Sequence, residues 1–141
     1  MKHKISYRGF TLVELLVVIA IIGILSSLAI VSLNDARVKA RDAKRQSDIN
    51  SVYTALQVYF DNNGSYPVCA CVSGNATPEC FEGSLANSLL NEGGRPYISP
   101  VPSDPKNDDT YYYTYCSDNG KEFLVDYLLE AEEEPIVVRG F

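Results

Sequence analysis

Residues 10–33 carry one charged side chain, Glu14, and beyond Leu33 apolar and polar positions begin to recur with the period of a helix. Residues 15–33 hold no charge at all. At 1.5 Å per residue, residues 10–33 as a helix reach about 36 Å, enough to cross a hydrocarbon layer of about 30 Å. The next stretch, "NDARVKARDAKRQSDINSVYTALQVYFDNNG", brings Ile49, Val52, Tyr53, Leu56 and Phe60 to one face, with Asp48 expected among the polar residues opposite. Asn63 and Gly64 close the pattern, because glycine takes the left-handed backbone of a helix end without steric cost. No proline precedes Pro67, and Gly23 alone weakens the apolar block, so one helix is expected over 10–63, about 80 Å long.

Past Gly64 the pattern breaks. "SYPVCACVSGNATPECFEGS" is too rich in turn formers for long elements, a short helix is expected over 84–91, and "RPYISPVPSDPKNDD" reads as an irregular, proline-rich connection. In "YYYTYCSDNGKEFLVDYLLEAEEEP", aromatic and branched residues flank Asp118, Asn119 and Gly120, which predicts a β-hairpin. The end of that stretch, Glu130 to Pro135, reads as a charged strand end or tail.

Charge is unevenly spread. The 141 residues carry a formal −6, yet from Gly64 onward four basic residues face thirteen acidic ones, a net −9. Such a surface repels phosphate, which excludes direct nucleic-acid binding through it. Lys2, Lys4 and Arg8 precede the apolar run and place that end in the cytoplasm, with the acidic part outside. A basic cluster, Arg37, Lys39, Arg41, Lys44 and Arg45, follows the apolar run; it could meet anionic lipid, acidic neighbours or solvent. Four cysteines, Cys69, Cys71, Cys80 and Cys116, all lie in the acidic part. A bridge within Cys69-x-Cys71 would be strained, so Cys80 and Cys116 are each expected to take one of that pair. Zinc ligation and free thiols are the alternatives, the former poorly matched by the spacing.

Glu14 poses the sharpest question, since an ionised group at the centre of a bilayer helix costs roughly 2.5–3.5 kcal/mol. The motif around it, "GFTLVELLVVIAIIGIL", resembles the N-terminus of type IV pilins and type II secretion pseudopilins. The likeness extends more loosely through "ARDAKRQSDINSVYTALQVYFDNNGSYP" and faintly to "VPSDPKN". It implies a pilin-like α+β fold: a long N-terminal helix whose C-terminal half packs against a small antiparallel sheet in a disulfide-stapled head. The divisions are then a basic leader (1–9), a transmembrane or assembly half-stem (10–33), an amphipathic half-stem (34–63) and an acidic head with a C-terminal hairpin (64–141).

The resemblance also implies functional residues and partners. A prepilin peptidase would cut between Gly9 and Phe10 and methylate the new amine of Phe10. Glu14 would pair with that amine on a neighbouring subunit, and Gly23 matches a glycine where pilin stems can melt locally. The pilin proline further along is missing, with Val31 near its place. The expected function is that of a structural subunit of a type IV pilus-like filament, assembled by a platform protein and an ATPase from the cytoplasmic membrane. A type II secretion pseudopilin is the first alternative and a signal-anchored surface binding domain the second. Major pseudopilins bind calcium in C-terminal loops, which makes Asp104, Asp108, Asp109 and Asp118 weak ligand candidates, although no D-x-D-x-D-G loop is present. No other cofactor is expected. Enzyme chemistry has little to stand on: the single histidine, His3, lies in the leader, and there is no glycine-rich phosphate loop.

Overall fold

A computed structural model describes residues 9–91, 96–132 and 134–141, without the side chains of 28, 29, 31 and 91. The basic leader up to Arg8 and the side chain of Val31 lie outside the described residues. The elements are helix α1 (Leu12–Asn63), a π-helical segment (Cys80–Leu85) running into α2 (Ala86–Asn91), and strands β1 (Thr114–Cys116), β2 (Phe123–Tyr127) and β3 (Ile136–Gly140). The chain forms two compact units, Met1–Arg37 and Val38–Phe141.

In the first unit every described side chain of residues 10–33 is exposed. Leu12, Leu16, Ile19, Ile22 and Ile24 each leave more than half their surface uncovered. None of the described residues covers that apolar surface, and so large an exposed patch marks a surface suited to lipid or another protein. The expected helix is there, and its length and composition suffice to cross a membrane.

The second unit owns the core. Ile49, Val52, Ala55 and Leu56 of α1 are buried against Tyr66, Phe81, Leu85, Tyr115, Phe123 and Val125. The stripe is centred one step away from the expected one. Ala55 is buried while Tyr53 stays 36% exposed, its ring tilted at 5.8 Å from Phe123 at the core's edge. Asp48 corrects the expectation: it lies on the buried face, one turn before Val52, bonded to Lys44 and to the hydroxyl of Tyr113. Gly64 ends α1 as expected, with φ +73° and its N–H donating to the carbonyl of Phe60.

The sheet has strand order β1-β2-β3, both pairs antiparallel, with Tyr115 opposite Val125 and Val125 opposite Val138. Phe123, Val125 and Tyr127 turn one face of β2 to the core. The expected hairpin is β1-β2, closed by the segment 117–122. There Gly120 takes φ +68°, and the Ser117 hydroxyl accepts from the Gly120 N–H while donating to the Glu122 carbonyl. β3 was not expected, because the acidic run before it reads as a tail. Its branched residues Ile136 and Val138 nonetheless pack beside the core. The expected short helix is also longer, beginning in π-helical form at Cys80. Disulfides Cys69–Cys80 and Cys71–Cys116 tie the loop after α1 to that segment and to β1, each cysteine of the CxC pair taking one distant partner.

Gly140 is the tightest point of the sheet, where a Cβ would meet the ring of the buried Phe123. The Gly140→Ala variant is therefore expected to lose about 1–3 kcal/mol, read as a lower urea midpoint at unchanged slope. An unchanged midpoint would contradict this packing.

Candidate functional site

Two clusters of polar chemistry stand out, one at each end of α1's role. At the helix start, Thr11 and Glu14 form a reciprocal cap. The Glu14 carboxylate accepts from the Thr11 N–H at 2.8 Å and from its hydroxyl at 2.7 Å, both through Oε2, while the Glu14 N–H donates to Thr11 Oγ1 at 3.3 Å. This is a capping box, satisfying donors that a helix start leaves open. The T-x-x-E spacing before an apolar run could have revealed it. Both bonds use Oε2, and Oε1 accepts no hydrogen bond among the described residues. Gly9 and Phe10 lie just ahead of α1 in exposed, non-helical backbone, and Gly23 sits in mid-helix with open space around it.

Within the second unit, α1 contributes a fully buried guanidinium. Arg45 grips Asp104 with two parallel bonds, Nε to Oδ2 at 2.7 Å and Nη2 to Oδ1 at 3.0 Å. Its Nη1 donates to Asp42 at 2.7 Å and to Glu130 at 3.0 Å. Glu130 also takes the forked Arg41 and the ammonium of Lys106. Asp42 accepts the backbone N–H groups of Glu130 and Ala131, and Asp104 those of Lys106 and Asn107. Three cations thus meet three carboxylates drawn from α1, the 104–107 turn and the segment after β2. The Tyr111 ring closes one side, 4.7 Å from the Arg45 guanidinium and 4.2 Å from the Lys106 ammonium.

The electrostatics follow from this geometry. Arg41 first, then Lys106 and Arg45, hold Glu130 well below the usual carboxylate range against the opposing effect of burial. For Asp104 burial pushes upward, but the Arg45 bond and the two backbone donors outweigh it and the carboxyl ends below its ordinary value. Arg45 behaves likewise: burial disfavours its charge, and its carboxylates more than restore it. Paired this way, the cluster avoids the large cost of isolated buried charge.

This network redistributes several expected residues. Arg41, Lys44 and Arg45 of the basic cluster are taken by carboxylates inside their own unit, leaving Arg37 and Lys39 exposed. Glu130, read as part of a charged strand end or tail, is a common acceptor for three cations. The sequence carried a signal for this: Arg45 stands one turn before Ile49 and two before Val52, on the apolar face, where a cation needs buried partners. The calcium candidates are not brought together. Asp104 binds Arg45, Asp108 accepts the N–H groups of Thr110 and Tyr111, Asp118 accepts that of Cys71, and Asp109 is exposed. Among the described residues no three acidic, histidine or cysteine side chains are grouped to hold a metal.

The prokaryotic N-terminal methylation motif matches residues 5–30. The chain is similar to the type II secretion system core protein G of Escherichia coli K12, 37% identical over 114 residues, covering 77% of this chain and 73% of that protein. It is 34% identical over 137 residues to the core protein G of Vibrio cholerae serotype O1, covering 94% and 86%. The type IV major fimbrial protein FimA of Dichelobacter nodosus is 28% identical over 138 residues, covering 98% and 72%. No solved structure matches.

The Arg45 cluster predicts a pH dependence with a definite sign. Carboxylates depressed in the folded state stabilise it fully above their unfolded values, about pH 4, and that stability is lost as pH falls below them. Urea unfolding should therefore show an acid limb that is shallower in Glu130→Gln. Stability at neutral pH should rank wild type above Arg45→Lys above Arg45→Ala, the last losing about 3–5 kcal/mol. An Arg45→Ala protein as stable as wild type would contradict the cluster's role.

Proposed function

The chain belongs to the family of prepilin-type filament subunits that includes type II secretion core protein G, and on that footing we propose that it polymerises into a secretion-type pseudopilus. The observation that carries the assembly step is the uncovered apolar helix headed by a carboxylate whose Oε1 has no hydrogen-bond partner among the described residues. Apolar surface on residues 10–33 is compatible with lipid before assembly and with neighbouring stems afterwards. In this reading a prepilin peptidase cuts between Gly9 and Phe10 and methylates the Phe10 amine, which keeps its positive charge. Thr11 occupies Glu14 Oε2, and Oε1 receives the amine of the next subunit. Each charge then lowers the other's burial cost in the low-dielectric bundle. Gly23 supplies a point of local helix melting. The subunit contributes no catalysis, and extraction from the membrane draws on an assembly ATPase and platform protein.

The sequence alone put a pilus first and a secretion filament second. Greater identity to core protein G than to the fimbrial protein favours the opposite order, with the acidic head outside the cytoplasmic membrane. The match to FimA along nearly the whole chain keeps pilus assembly as the second reading. Deleting the gene in its host separates them. Loss of protein export with surface pili intact supports the pseudopilus, and loss of pili with export intact overturns it in favour of the pilus.

Assembly has its own test. Glu14→Gln should insert into the membrane normally but yield at least about tenfold fewer filaments, as expected for losing a charge pair worth more than about 1.4 kcal/mol. Thr11→Ala, which loses the cap but keeps the carboxylate, should retain most assembly. Normal filaments from Glu14→Gln would contradict the pairing.

A further inference from the structure

The face of the sheet turned away from the core holds a groove of about 350 Å³ lined in part by Asp126, a carboxylate with one unsatisfied oxygen. Asp126 lies on β2 between Thr114 of β1 and Val137 of β3. Its Oδ1 is buried and has no hydrogen-bond partner among the described residues. The nearest hydroxyl does not serve it, since Thr114 Oγ1 donates to the main-chain carbonyl of Asp126 at 3.3 Å. Arg139 sits diagonally across on β3, exposed, and attracts the carboxylate without bonding it. Burial accordingly pushes this carboxyl above its ordinary value.

A buried unpaired acceptor costs roughly 1–3 kcal/mol and calls for a donor. The rest of the groove describes that donor. Thr110, Tyr112 and Asn75 add polar atoms and an aromatic ring, while Leu128 and Pro135 add apolar surface. The head's surplus of acidic residues favours a cation over an anion. We propose that this groove binds an alkylammonium group, its charge on Asp126 and its aliphatic stem along Leu128 and Pro135. Both a lysine side chain of another protein and a free small amine carry this chemistry.

The test titrates the full-length chain in detergent micelles with n-butylammonium and follows the backbone amide NMR signals of Thr114, Asp126 and Val137. Saturable shifts are expected, with n-butanol, the uncharged counterpart, producing none. Asp126→Asn removes a desolvated charge, so it should fold with an unchanged or higher melting temperature and bind butylammonium about tenfold or more weakly. Nα-acetyl-lysine methylamide separates the sources: equal binding assigns the groove to protein lysines, and exclusion assigns it to free amines, either supporting the site. Equal shifts with butanol, no saturation, or undiminished binding by Asp126→Asn would overturn it. The comparison of butylammonium with butanol on the unmutated chain decides the matter even if the variant misfolds.

Discussion

A guanidinium stripped of water has to be met by carboxylates, and besides Asp42 on its own helix Arg45 draws partners from segments 59 and 85 residues away. That requirement organises the Val38–Phe141 unit. Asp104 takes both donors of one edge of the guanidinium, which fixes the proline-rich connection against α1, and Glu130 fixes the segment between β2 and β3. Buried ion clusters are often no more stabilising than well-packed apolar residues, so geometry is the more informative aspect here. A planar fork admits few placements, whereas an apolar contact admits many. The core of Ile49, Val52, Leu56, Phe123 and Val125 supplies burial, and the disulfides limit the freedom of the loop after α1.

The N-terminal unit answers to a different constraint. Its described apolar side chains are exposed, and among the described residues only one oxygen of its carboxylate is engaged. A lone Glu14 in a bilayer is costly, and the Thr11 cap reduces that cost without removing the charge. In the proposed assembly neighbouring stems complete this helix. There Glu14 serves two ends, starting α1 through Oε2 and offering Oε1 to a partner's amine.

Features written in local pattern were legible in the sequence. The long helix, its end at Gly64, the β1-β2 hairpin and the distant partners of the CxC pair all follow from short-range spacing, turn chemistry and strain. The motif at 9–25 pointed to the family on its own. What escaped depends on contacts across the chain. Asp48 looks polar and outward until Lys44 and Tyr113 are placed beside it. Glu130 belongs to an acidic run whose members are alike in sequence and unlike in space. β3 has ordinary strand residues, but the run before it masked them. Asp104, Asp108 and Asp118 suggested a shared ligand, yet each is engaged by a different local or distant donor.

In the proposed assembly a neighbouring copy completes both the uncovered apolar stem and the carboxylate of Glu14. A structure of the assembled filament, determined at side-chain detail by electron cryomicroscopy, tests it most directly. The methylated amine of Phe10 from one subunit is expected within ion-pair distance, about 4 Å, of the Glu14 carboxylate of the next, with Thr11 still on Oε2. Filaments in which Glu14 faces only its own Thr11 and the amine lies elsewhere would contradict it.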